Sequence, residues 1–116
     1  MTTDRDSLNQ QLQEITREQF AHLAGKAIKL NDAPNKYGVN RRSLDRWVKA
    51  GYIRVIKTGY GSEVDEGDVA FCVAVHKVRR QYNITSAPLL EADGKRPYLI
   101  KYPDLSARRR ETGRSS

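Results

Sequence analysis

The sequence predicts a mainly α domain that carries a small β-hairpin. Three observations predict it. Leu44, Trp47 and Val48 stand at i, i+3 and i+4 in a stretch with polar and basic residues at the other positions, the pattern of a one-faced helix. Val69, Cys72, Val73 and His76 repeat that spacing in a longer run. Between the two, Tyr52-Ile53-Arg54-Val55-Ile56-Lys57 alternates apolar and basic residues and leads into Thr58-Gly59-Tyr60-Gly61, a strand followed by a turn. At 116 residues, 38% hydrophobic and 30% charged, the chain suits one domain with a modest core.

The elements follow in order. Residues 1–14 are polar apart from Leu8 and Leu12, and weak order is expected there. Thr16-Arg17-Glu18-Gln19 has capping-box spacing, and Ile15 and Phe20 have the spacing of a hydrophobic staple, so a short helix is expected over 17–24. Ala27-Ile28-Lys29-Leu30 reads as a brief extended segment. Asn31 is a good N-cap for a helix over 32–37, with Pro34 in its first turn and Gly38 as its stop. Asn40 caps again, and a helix over 41–50 ends at Gly51. Ser62-Glu63-Val64 returns from the turn as a second strand. Asp65 caps a last helix running to about Tyr82, with Glu66 and Asp68 as acids of its first turn and Lys77, Arg79 and Arg80 near its end. The expected core anchors are Leu44, Trp47, Val48, Ile53 and Val69.

The domain is therefore expected over 15–83. Residues 84–104 read as a linker, with a small hairpin possible between Leu89-Leu90 and Tyr98-Leu99-Ile100 that docks on the domain or awaits a partner. Residues 105–116 read as a disordered basic tail.

Charge narrows the function classes. The net charge is +7. Residues 1–24 hold two Lys/Arg against four Asp/Glu, net −2; residues 25–83 hold twelve against six, net +6; residues 84–116 hold seven against four, net +3. A basic domain points to a polyanion, with nucleic acid first. One Cys excludes a disulfide framework and a cysteine-rich zinc site. No apolar run is long enough to span a bilayer, and the polar start is unlike a signal peptide, so no membrane partner and a cytoplasmic, nucleoid-associated location are expected. His22 and His76 lack metal-ligand spacing, Cys72 reads as a buried apolar thiol, and no phosphate-loop or triad pattern occurs. No catalytic residue, cofactor or metal is expected.

Helix, tight turn, helix, hairpin and helix make a helix-turn-helix with a wing. Arg42, Arg46 and Lys49 fall at i, i+4 and i+7 on the helix over 41–50, so they form one stripe. A helix fits the DNA major groove, and Arg bonds guanine O6 and N7 bidentately. These three are the expected base-reading residues. Asn31, Asn40, Arg41, Ser43, Lys57 and Tyr60 are the expected DNA-backbone contacts, and Arg108, Arg109 and Arg110 are possible tail contacts. Asp45 either accepts from a cytosine amino group or pairs with Lys49.

Residues 28–78 resemble the winged helix-turn-helix of MerR-like and excisionase-like DNA-binding domains. The resemblance rests on Ile28 to Ala33, Tyr37-Gly38-Val39-Asn40, the run Ser43-Leu44-Asp45-Arg46-Trp47-Val48-Lys49-Ala50-Gly51-Tyr52-Ile53, and Val64 to Val69. It implies that the 41–50 helix enters the major groove and the wing meets the minor groove or its phosphates. Many members carry Arg at the wing tip, where this chain has Gly59-Tyr60-Gly61. The expected partner is double-stranded DNA, bound by a homodimer or cooperative array, or with a recombinase or other protein. The expected role is a recombination directionality factor or a transcriptional regulator. The alternative is a protein-interaction module that works through residues 84–116.

Overall fold

The structure, a computed structural model, describes residues 4–82 and 88–100. The fold is mainly helical, with a small three-stranded antiparallel sheet. Its centre is a helix, Glu66–Gln81, that starts where the Asp65 side chain accepts from the Asp68 backbone N–H at 3.0 Å. The expectation for this helix was an apolar face of Val69, Cys72, Val73 and His76, widened by Phe71, Val75 and Val78. Instead every residue from Glu66 to Val73 is buried, because other elements cover the helix from several sides.

Those elements are, in chain order, α1 (Asp4–Gln13), a 3-10 helix (Arg17–Leu23), β1 (Ala27–Lys29), α2 (Ala33–Tyr37), α3 (Arg41–Lys49), β2 (Val55–Lys57) and β3 (Glu63–Asp65), with the central helix as α4. The 3-10 helix lies against α4, and the fit depends on Gly67: a Cβ there would sit 3.0 Å from Ala24 Cα and N. The sheet order is β1-β3-β2, with Ile28 and Val55 on either side of Val64 and an irregularity between Val55 and Lys57.

Four expectations about these elements are corrected. First, the weak order expected of residues 1–14 gives way to α1, whose Leu8 and Leu12 are fully buried. Asn9 exchanges two 2.8 Å hydrogen bonds with the backbone of Ile100, and Gln11 donates to the Tyr82 hydroxyl at 2.7 Å. Second, the helix start expected at Asn31 falls one residue later, at Asp32. Third, the strand expected over 52–57 pairs only at 55–57, and all three of its residues are exposed. Ile53 is buried as expected, but ahead of the strand. No layer covers either face of this strand, unlike β1, the other edge strand, whose Ile28 is buried. Fourth, Val48 borders the core half-buried, whereas Leu44, Trp47 and Val69 are buried in it.

The segment 88–100 docks on the domain. Leu90 and Pro97 form a single antiparallel bridge, flanked by Glu91 N to Arg96 O at 2.8 Å and Tyr98 N to Leu89 O at 3.1 Å. Leu89, Leu90 and Ile100 join the core. The rest of the expected linker, residues 84–87 and 101–104, and the tail 105–116 lie outside the described residues, as do residues 1–3.

Buried charge ties the elements together. The acids expected as simple helix-start acids are linked across the fold. Asp68 accepts from Arg17 at 2.6 Å and from Arg54 at 3.2 Å, and Asp65 accepts from Arg54 at 3.1 Å and from the Gly25 N–H at 2.8 Å. Arg17 also donates to Gly94 O at 2.6 Å and stacks over the Phe71 ring, 4.5 Å from its centroid. Glu66 accepts from Lys36 and from the Tyr37 hydroxyl, each at 2.5 Å, which fastens α2 to α4. Burial works to raise the Glu66 pKa, yet the bonds from Lys36 and Tyr37 and the nearby lysine charges outweigh it and hold the carboxyl below its ordinary value. Burial first, then the hydrogen bond and charge of Glu66, push the Tyr37 hydroxyl well above its usual range.

Candidate nucleic-acid interface

The geometry starts at the turn between α2 and α3. Gly38 ends α2 with φ +66°, a left-handed conformation that costs glycine little, and its N–H donates to Pro34 O at 2.9 Å. Val39 is buried, which holds the turn against the domain. The Asn40 side chain then accepts from the Ser43 N–H at 2.9 Å and starts α3. These are local signals, and the sequence carried them.

Packing orients α3. Leu44 is fully buried and Trp47 is 5% exposed, so this face is committed to the core. The Trp47 ring meets His76 of α4 edge-on, with centroids 5.2 Å apart. Arg42, Arg46 and Lys49 are thereby exposed, and with Asp45 and Val48 they line one shallow groove. Neither Arg42 nor Lys49 has an ion-pair partner among the described residues. Arg46 has a long contact to Ser43 Oγ, 3.4 Å.

Asp45 pairs with Arg41 at 3.0 Å, and not with Lys49 as the spacing also allowed. Arg41 further donates to Asn31. Arg41 thus reaches from the start of α3 back to Asn31, ahead of α2, and Asn31, Asn40 and Arg41 are each engaged within the protein. Ser43 differs from its expected place at a phosphate: it is 5% exposed, because this N3 residue, whose backbone N–H is capped by Asn40, is buried with Leu44 and Trp47. Lys57 and Tyr60 are exposed on the β2–β3 hairpin, and Tyr60 is wholly open to solvent. Arg108, Arg109 and Arg110 lie outside the described residues.

Two features escaped the sequence. Val55 and Ile56 are 44% and 48% exposed, so the hairpin carries an apolar surface beside its basic residue. A cleft of about 480 Å³ opens between α3 and α4, with Arg46, Trp47, His76, Arg79 and Arg80 among its walls. The only available signal for the cleft was the Arg79-Arg80 pair, which reads equally well as an ordinary basic helix end. Burial first, and then the charges of Arg80, Arg79, Arg46 and Lys77, hold the His76 pKa below its ordinary value.

Comparison with protein-family models, with curated proteins and with solved structures finds no match to this chain. Among the described residues, no helix is long and apolar enough to cross a membrane.

Proposed function

We propose that the chain binds double-stranded DNA as a winged helix-turn-helix module, with α2 and α3 as the helix pair and the β2–β3 hairpin as the wing. The observation that carries this reading is the state of α3. One face is locked by Leu44 and Trp47, and the other holds Arg42, Arg46 and Lys49 exposed while the helix's one acid is paired with Arg41. Cations kept on a rigid helix and left without carboxylate partners suit bidentate contacts to guanine edges. Backbone contacts from Arg41, Lys57 and Tyr60 would set the register. A single module of this size buries a small DNA interface, so a dimer, a cooperative array or a protein partner supplies the remaining affinity. An excisionase-like recombination factor or a transcriptional regulator is the role this reading favours.

The test is binding selection from random duplexes, followed by the double change Arg42→Ala and Arg46→Ala. The expected result is an enriched sequence bound well above bulk DNA, with a loss of about 1–3 kcal/mol of discrimination for each base-reading arginine. Both side chains are exposed, so thermal unfolding should be little altered. An enriched site bound equally well by the double variant would remove α3 from the groove.

A further inference from the structure

We propose that the cleft between α3 and α4 is a second anion site, which seats a phosphate of the DNA strand flanking the bases read by α3. The proposal rests on the DNA-binding reading and extends the contact surface onto α4.

Three observations support it. The cleft walls include Arg46, Arg79 and Arg80, and among the described residues no Asp or Glu lines it. Arg79 is 4% exposed and donates to Pro88 O at 2.7 Å, so it contributes positive potential from the floor. Arg46 and Arg80 are exposed at the mouth, within reach of a ligand in solvent. A concave site with cations on two walls and no acid concentrates an anion.

Continuity decides which anion. Arg46 lines both this cleft and the groove with Arg42 and Lys49. On the proposed reading, a strand whose bases meet that stripe would carry its backbone to the cleft mouth, since the two surfaces adjoin at Arg46. Asn40, at the start of α3, lines the same cleft. Its Oδ1 accepts from the Ser43 N–H, which leaves the Nδ2 hydrogens to face an oxyanion.

The cleft has built-in reporters. Trp47 is the only tryptophan in the chain and lies against His76 at one wall, so its emission reads what enters. His76 titrates among Arg46 from α3 and Lys77, Arg79 and Arg80 from its own helix. A phosphate that offsets those charges raises the His76 pKa.

The experiment measures duplex affinity against salt for the unaltered full chain, for Arg80→Ala and for Arg80→Lys, on the selected site and on a scrambled duplex. Arg80 is exposed and remote from the α3 stripe in sequence, so the variant is expected to fold. Arg80→Ala should weaken both duplexes about tenfold and reduce the salt slope by about one, with the preferred sequence unchanged. Arg80→Lys should keep the slope. Duplex should also shift Trp47 emission and raise the His76 pKa by NMR. If the unaltered protein binds its site and Arg80→Ala changes neither affinity nor slope, the cleft is not a phosphate site, while the α3 reading stands. If inorganic pyrophosphate saturates the Trp47 signal and duplex leaves it untouched, the occupant is a free phosphorylated molecule and the proposal is overturned. If the unaltered protein binds no duplex, the α3 reading and this one fall together.

Discussion

Leu12→Ala should destabilise the domain as a core substitution does. Leu12 is 0% exposed and sits on α1 one turn after Leu8, which is equally buried. Removing three carbons there forfeits their transfer energy and leaves a cavity. Collapse of α1 into that cavity is opposed by Asn9 on Ile100 and Gln11 on Tyr82, which hold the helix at two points. Leu→Ala changes at such sites cost about 2–5 kcal/mol. Against a typical total of roughly 5–15 kcal/mol, a central value of about 3 is a large share. With a urea slope of about 2 kcal/mol/M, the midpoint should fall by about 1.5 M. The assay is urea unfolding followed by circular dichroism and Trp47 fluorescence, with coincident transitions as the two-state check. A loss below about 0.5 kcal/mol, the range of surface substitutions, would mean that α1 is not part of the cooperative fold.

Four further outcomes are expected. The Cys72 thiol, fully buried and with its pKa pushed by burial up to about 12, should resist alkylation at pH 8 in the native protein and react on unfolding. Because its folded pKa lies above the unfolded one, its contribution is complete below about pH 8.5 and falls as pH rises towards 12, which Cys72→Ala in alkaline unfolding should blunt. His76 has the opposite sign: its folded pKa is depressed, so the unfolded state takes the proton first and stability drops as pH falls below about 6.5, an effect that His76→Gln should remove from the pH profile. Deleting residues 105–116 removes four arginines and one glutamate; it should make the salt slope of duplex binding shallower without changing the preferred sequence, and a changed sequence would assign base reading to that segment.

The parts legible from sequence are those specified within a few residues. The α3 helix is the clearest: its cap at Asn40, its apolar spacing at Leu44 and Trp47, and the Gly38 and Gly51 boundaries all lie inside one short stretch. The same locality made the exposed stripe of Arg42, Arg46 and Lys49 readable, because a buried tryptophan face dictates which positions point outward. The β2–β3 hairpin was legible as a turn between two strands, and its burial was not, since alternation describes a strand and not the layer that covers it.

What tertiary structure decided involves residues far apart in the chain. A ten-residue polar helix has no stability of its own, so α1 exists because Leu8 and Leu12 find a core and Asn9 finds Ile100, 91 residues on. Asp65, Glu66 and Asp68 read as helix-start acids, yet they are buried because Arg17, Arg54, Lys36 and Tyr37 meet them from other elements. The cleft joins Arg46 to Arg80 across two helices whose packing no short window encodes. Sequence alone determined a basic, mainly helical chain with one exposed cationic helix face, because capping, periodicity and charge act over one or two turns. Only the folded chain decided which charges are spent on one another and which remain facing solvent, because ion pairing depends on distances that packing sets.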